Sequence, residues 1–248
     1  MTKLVLITGA SRGIGAATAR LAAAEGYAVA VNYSANSLAA DEVVRQIRAA
    51  GGQAMAVKAD VANERQVMAM FESIDAKFGR LCALVNNAGI VDQASRVDGI
   101  TLARLQRMFE VNVFGSFLCA REAVKRMSTR YGGAGGAIVN VSSAASRLGS
   151  PGQYVDYASA KGAIDTFTLG LAKEVAAEGI RVNAVRPGIV DTDIHASGGL
   201  PHRARDVAPQ VPMQRAGTAD EVAQSIVWLL GEGASYTTGA LLDVAGGR

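Results

Sequence analysis

Leu4-Val5-Leu6-Ile7-Thr8-Gly9-Ala10-Ser11-Arg12-Gly13-Ile14-Gly15 is the stretch that decides the architecture. A short aliphatic run enters a glycine-rich turn, and an amphipathic stretch begins at once. That order reads as strand, tight turn, helix. Glycines let the chain turn sharply and let a pyrophosphate approach the backbone, while the helix N-terminus offers free N–H groups and a positive dipole end. Taken alone, such a turn is equally a plain structural turn. At the first strand-to-helix junction it reads as a dinucleotide-binding turn, with Gly9, Ser11, Arg12, Gly13, Ile14 and Gly15 as candidate contacts. The spacing is G-x-x-x-G-x-G, a departure from the commoner G-x-G-x-x-G.

The same alternation continues outward from this unit. Near-continuous runs of Val, Ile, Leu and Ala predict strands over 4–8, 28–32, 54–59, 81–86, 137–142, 181–185 and 240–244. Runs of that kind belong to parallel strands covered on both faces. Between them, helices are predicted over 13–25, 37–50, 64–78, 102–127, 156–178 and 219–230. Asn63, Thr101 and Thr218 are candidate N-caps, and Glu221 makes a capping box with Thr218. Gly26, Gly51, Gly79 and Gly179 stand where helices end. The expectation is an α/β fold: one doubly wound, seven-stranded parallel sheet flanked by helices, a single domain over 1–248. The connection 188–214 is long for a compact domain and is expected to act as a lid over a site.

Composition narrows the field further. Of 248 residues, half are apolar and 19% charged, so a large core can form and disorder is excluded. No apolar run approaches the roughly 18 residues of a membrane span, and Leu4 to Ile7 is too short for a secretory signal core. Cys82 and Cys119 form no CxxC pair, so reduced thiols in a cytoplasmic protein are expected. Two histidines, His195 and His202, do not suggest a metal centre. The net charge of +3 comes without a basic run, so neither nucleic acid nor membrane is an expected partner. Arg126, Arg130, Arg203 and Arg205 read as solvated surface.

The second strand bears on which dinucleotide is held. A carboxylate about 20 residues past the turn usually binds the ribose 2′-hydroxyl of NAD. Here the strand ends Val31-Asn32-Tyr33-Ser34, with no acid until Asp41. Nothing there would repel a 2′-phosphate, and Arg12 stands ready to pair with one. NADP(H) is therefore expected ahead of NAD(H), with Asn32, Tyr33 and Ser34 beside the adenosine; the alternative for Arg12 is a solvated turn residue.

Tyr157 and Lys161 lie four apart in a predicted helix and share a face. A free phenol has a pKa near 10. An adjacent ammonium lowers it, which would let the tyrosine exchange a proton with a substrate oxygen. Ser143 follows a strand end, where α/β folds place their sites, and its hydroxyl can reach the same oxygen. Tyr-x-x-x-Lys alone also arises by chance on a helix surface.

Together these residues resemble the short-chain dehydrogenase/reductase family along essentially the whole chain. The motifs occur in order: Thr8-Gly9-x-x-x-Gly13-x-Gly15, Asp60, Asn86-Asn87-Ala88-Gly89, Asn112, Ser143, Tyr157-x-x-x-Lys161, Pro187-Gly188 and Thr192. The resemblance implies a Rossmann-type fold and the following roles. Tyr157 would be the general acid/base, and Ser143 would polarise the carbonyl. Lys161 would hold the nicotinamide ribose and depress the Tyr157 pKa. Asn112 would position a water relaying protons to Lys161. Asp60 and Val61 would meet adenine, and Asn87, Ala88 and Gly89 would pass along its ribose. Ile189, Val190 and Thr192 would hold the carboxamide, with Pro187 and Gly188 also among the cofactor contacts. The interval from Ser143 to Tyr157 is one residue longer than is commonest in the family, which places an extra residue in the loop 147–153. Ser142 is the rival to Ser143.

The overall pattern is most similar to 3-oxoacyl-[acyl-carrier-protein] reductases, with glucose- or ribitol-type sugar and polyol dehydrogenases next. A non-catalytic cofactor-binding regulator is the remote alternative, disfavoured because Asn112, Ser143, Tyr157 and Lys161 are all present. The substrate would be a small carbonyl or alcohol, free or carrier-bound. His195 and His202 could contact a polar substrate or face water. Tyr154 and Asp156 could line a polyol pocket or face water. Lys125 and Arg126 could meet an acidic carrier or form a solvated helix end. The resemblance also implies a homotetramer built through 102–127, 156–178 and the C-terminal strand.

Overall fold

The computed structural model describes residues 3–248, apart from the side chain of residue 195. Seven parallel strands form one sheet in the order β3-β2-β1-β4-β5-β6-β7. They are β1 Lys3–Ile7, β2 Tyr27–Tyr33, β3 Ala54–Lys58, β4 Ala83–Asn86, β5 Gly136–Val141, β6 Ile180–Pro187 and β7 Leu241–Val244. The main crossover helices are α1 Gly13–Ala24, α2 Ser37–Ala49, α3 Glu64–Phe78, α4 Leu102–Phe109, α5 Gly115–Met127, α7 Val155–Val175 and α10 Ala219–Leu230. Three short helices were not foreseen: α6 Ala145–Leu148, α8 Ile194–Ser197 and α9 Arg203–Val207. The last two break up the long connection 188–214.

Side-chain alternation along the strands builds two cores. Val5, Ile7, Val29 and Val31 face one side, packed with Ala19, Val43 and Ile226 from α1, α2 and α10. Leu4, Leu6, Ala28 and Ala30 face the other, packed with Phe71, Ala123 and Val175 from α3, α5 and α7. Both faces are thus covered, which is why the strands read as unbroken apolar runs. The expected caps form: Asn63 accepts from Gln66 N, Thr101 from Arg104 N, and Thr218 makes a full capping box with Glu221.

The predicted helix 102–127 is not uniform. A π-helical segment, Glu110–Phe114, joins α4 to α5, with Asn112 at its middle. Such insertions widen one turn and redirect a side chain. Glu122 of α5 is buried, and Arg121, Lys125 and Arg126 surround its carboxylate. The order of strands reverses between β1 and β4. The crevice beyond their C-terminal ends is where folds of this topology place ligands.

Candidate functional site

The glycine turn is built by close backbone approach. Gly9 (φ +61°) lies against the segment after β4: a Cβ there would fall 2.9 Å from Ala88 Cα. A Cβ on Gly15 would fall 2.5 Å from Asn87 Nδ2 and 2.6 Å from Gly9 O. Thr8 Oγ1 accepts from Asn87 N and Ala88 N, both at 3.0 Å, and Asn87 Nδ2 donates to Thr8 O and Gly9 O. The turn and the 87–89 segment are therefore one unit. Thr8 was not singled out as the residue tying them.

Helix α1 starts from this turn with no side-chain cap and no acid in its first turn, whereas Asn36, Asn63, Thr101 and Thr218 cap α2, α3, α4 and α10. An uncapped helix end beside a glycine turn suits a phosphate anion. Arg12 is exposed at this end and donates to Ser197 Oγ at 3.2 Å. Asn32 sits behind the turn: its Oδ1 accepts from Gly9 N, and its Nδ2 donates to Val57 O and Ala59 O. It is 1% exposed, so it shapes the turn from within rather than presenting its amide outward. Tyr33 is half-buried, and Ser11 half-buried and Ser34 exposed. Asp60 is partly exposed and paired with Arg107 at 3.2 Å, while Val61 is buried against Gly115.

A cleft of about 460 Å³ opens at the C-terminal ends of the strands. Ile14, Asn87 and Gly89 line it together with Ser143, Tyr157 and Lys161 and with Pro187, Gly188, Ile189, Val190 and Thr192. Eleven residues singled out in the sequence thus meet in one cavity. The loop 147–153 borders it, through Leu148, Ser150, Pro151 and Gln153.

Tyr157 and Ser143 line the cleft side by side, and the Ser143 hydroxyl favours the phenolate form of Tyr157. Ser143 Oγ also accepts from Ala145 N at 3.1 Å. Ser142, by contrast, is 2% exposed and donates to Lys161 O at 3.2 Å. The hydroxyl beside the phenol is therefore that of Ser143. Lys161 Nζ lies 5.6 Å from the Tyr157 ring centroid and donates to Val141 O at 2.8 Å. Asn112 closes the back of the site: Nδ2 donates to Ile90 O and Met108 O, and Oδ1 accepts from Ile90 N. A Cβ on Gly89 would lie 2.8 Å from Asn112 Oδ1 and 3.5 Å from Lys161 Nζ, so these three are in contact range.

The charge states differ from the expectation that Lys161 would depress Tyr157. Burial pushes the Tyr157 phenol up to about 12, with the Ser143 hydroxyl pulling the other way. Burial also pulls Lys161 down to about 8, against the field of Asp165. Desolvation outweighs the ammonium here: both groups are buried, and the amine is spent on the Val141 carbonyl, 5.6 Å from the ring centroid.

Asp156 neither lines a polyol pocket nor faces water: it is buried in a pair with Arg104, Nε–Oδ2 2.7 Å. Arg104 Nη1 also donates to Gln93 O at 2.6 Å, which ties the 92–95 loop to the first turn of α7. Arg126 is not a solvated helix end; it pairs with Asp75 and Glu122 and lies 4.9 Å from the Phe71 ring centroid. Lys125 pairs with Glu122. Arg203 is not plain surface either, since it lines the cleft. His202 is exposed; the side chain of His195 lies outside the described residues. Cys119 is buried, which pushes its thiol up to about 12, and Cys82 is partly buried. Among the described residues, no helix is long and apolar enough to cross a membrane.

Comparison with known proteins agrees with this geometry. A family model described as enoyl-(acyl carrier protein) reductase matches residues 9–248. The chain is 60% identical over 245 residues to the uncharacterized oxidoreductase YgfF of Escherichia coli (strain K12), covering 99% of both. It is 40% identical over 246 residues to a 3-oxoacyl-[acyl-carrier-protein] reductase of Synechocystis, covering 99% of this chain and 96% of that one. A solved variant of a Serratia marcescens short-chain dehydrogenase/reductase superposes with a TM-score of 0.90 at 34% identity, over 99% of this chain and 97% of that one.

Proposed function

The chain belongs to the short-chain dehydrogenase/reductase family of oxidoreductases, and from that premise we propose that it interconverts a ketone and a secondary alcohol with NADP(H), in the manner of a 3-oxoacyl-thioester reductase. The observation that carries this reading is that Tyr157, Ser143 and Lys161 line one cleft together with Ile14 of the glycine turn and with Asn87 and Gly89 of the segment tied to that turn.

The uncapped start of α1, with Gly9, Ser11, Arg12, Gly13, Ile14 and Gly15, would receive the pyrophosphate. Asn87, Ala88 and Gly89 would border the adenine ribose, with Asp60 and Val61 towards the base. Lys161 and Tyr157 would meet the nicotinamide ribose, and Pro187 to Thr192 the carboxamide. When bound, the nicotinamide supplies or accepts a hydride. The protein's part is proton handling and electrostatics. With its phenol held near 12, Tyr157 stays protonated across the neutral range and donates its proton to the carbonyl oxygen during reduction. Ser143 donates a hydrogen bond to the same oxygen as charge gathers there. Asn112 holds the 88–90 segment against Lys161, consistent with a relay of protons behind the amine.

NADP(H) is favoured over NAD(H) because β2 ends without a carboxylate and Arg12 is exposed beside the turn. A polyol substrate fits less well. The one acid next to Tyr157, Asp156, is committed to Arg104, and the walls include Val91, Leu148, Pro151 and Ile194. Exposed Phe114, Phe117 and Leu169 on the α5 and α7 side support a homotetramer, and the two free cysteines fit a cytoplasmic setting. The segment 188–214 is read as the lid.

The test is NADPH oxidation, beside NADH, on an acetoacetyl thioester, a diketone, glucose and ribitol, with sizing chromatography alongside. The thioester and diketone should be reduced with NADPH. Tyr157→Phe should bind NADPH yet lose about 10²- to 10⁴-fold in kcat, and Ser143→Ala about 10²- to 10³-fold. Full turnover by Tyr157→Phe, or a loss confined to Ser142→Ala, would refute the mechanism.

A further inference from the structure

The connection 188–214 folds a cation over the cleft. Arg203, the first residue of α9, lines the same cavity as Tyr157 and Ser143. Its guanidinium carbon lies 5.1 Å from the Tyr154 ring centroid, and its Nη1 donates to Gln153 Oε1. Tyr154 is only 5% exposed, and a Cβ on Gly198 would lie 3.2 Å from its hydroxyl. The ring is thus a fixed platform under the guanidinium. Arg104, Arg147, Arg186, Arg205 and Arg215 each have a carboxylate within ion-pair reach. Among the described residues Arg203 has none, as Arg12, Arg48 and Arg181 have none, and of these four it is the one that lines the cleft. No Asp or Glu side chain lines the cleft, and the other charged side chains that do, those of Lys161 and Arg248, are cationic. A stacked, half-buried guanidinium with no carboxylate partner suits a planar anion, which it can grip through two parallel N–H bonds. The facing walls, Val91, Leu148, Pro151 and Ile194, are apolar.

We infer that the substrate carries a carboxylate on a hydrocarbon body, and that Arg203 holds this carboxylate while the reacting oxygen sits at Tyr157 and Ser143. The inference rests on the ketone-reductase reading above and departs from its thioester: the substrate class it names is an oxo acid or hydroxy acid. Arg203 would be a specificity residue, while proton transfer remains with Tyr157.

Calorimetry on the NADP⁺-loaded protein tests it, with cyclohexanecarboxylate and cyclohexanecarboxamide as matched probes. The wild type should bind the acid at least about tenfold more tightly than the amide. In Arg203→Gln that ratio should fall to near one, and in Arg203→Lys to an intermediate value, each with NADP⁺ affinity and melting temperature retained. Equal affinity for both probes in the wild type, or an unaltered ratio in Arg203→Gln, overturns the inference. So does phosphopantetheine binding more tightly than the acid and losing that advantage in Arg203→Gln, which would assign the guanidinium to a carrier's arm. A companion assay compares reduction of 4-oxocyclohexanecarboxylate with its methyl ester. Reduction of both at equal kcat/KM defeats only the Arg203 assignment, whereas full turnover by Tyr157→Phe defeats the underlying reductase reading.

Discussion

The two walls of the cleft are made differently. On the glycine side, the missing side chains are required: Cβ atoms on Gly9 and Gly15 would fall within 2.9 Å of neighbouring atoms. On the substrate side, Gly149 and Gly152 each have φ of +72° and nothing within 4 Å of an added Cβ. One wall is fixed by backbone touching backbone. The other is loop held by side chains such as Arg203 and Gln153, with space around it. A common cofactor needs the first kind of wall, whereas substrate choice can drift only where the second kind leaves room.

The substrate side does have one rigid anchor, the Arg104 and Asp156 pair. Breaking it should give the largest loss of stability. Asp156→Ala leaves a mostly buried guanidinium with Gln93 O and a distant Asp92 as partners. The expected cost is about 3–4 kcal/mol, read by denaturant unfolding, together with a raised KM as the 92–95 loop loosens. An unchanged midpoint would mean that the loop is held elsewhere. Gly15→Ala attacks the opposite wall and should cost about 2–3 kcal/mol from overpacking, with NADP⁺ binding lost. Gly152→Ala should cost only about 1 kcal/mol, from the positive φ alone, and leave NADP⁺ binding intact. Equal costs for the two glycine variants would abolish the distinction between the walls.

The glycine wall was legible in the sequence because its constraint is local. Glycine spacing after a short aliphatic strand encodes a close approach whatever the distant partner is. The helix pairing of Tyr157 with Lys161 was legible for the same reason, since four residues make one turn. What escaped reading depends on contacts across long sequence intervals. Asp156 looks solvent-facing until Arg104, 52 positions earlier, is brought onto it. Arg203 looks like loop surface until α9 lays it over Tyr154. Asn32 looks like an adenosine contact until Gly9 N takes its Oδ1. The π-helical segment carries no periodicity signal of its own, so a helix over 102–127 was expected without its central irregularity.

One substitution is expected to raise stability rather than lower it, and it concerns the residue where both walls meet. Lys161 is 4% exposed and its pKa falls from 10.5 to about 8. The folded-state value lies below the unfolded one, so the unfolded chain holds more protons between about pH 8 and 10.5. Stability therefore rises with pH across that window, and below it the fold bears the full cost of a buried ammonium. The shift corresponds to roughly 3 kcal/mol at neutral pH, and losing the bond to Val141 O offsets about 1 of that. Lys161→Met should thus be more stable than the wild type by about 1–2 kcal/mol at pH 7, while losing turnover. The advantage should shrink as pH rises past 8 and be gone by about pH 10, where the folded amine is uncharged and the unfolded one still carries most of its charge. Denaturant unfolding of both proteins at pH 7 and pH 10 measures it. A variant less stable than the wild type at pH 7 would mean that the amine stabilises the fold, and that the junction of the two walls carries no stored cost for function.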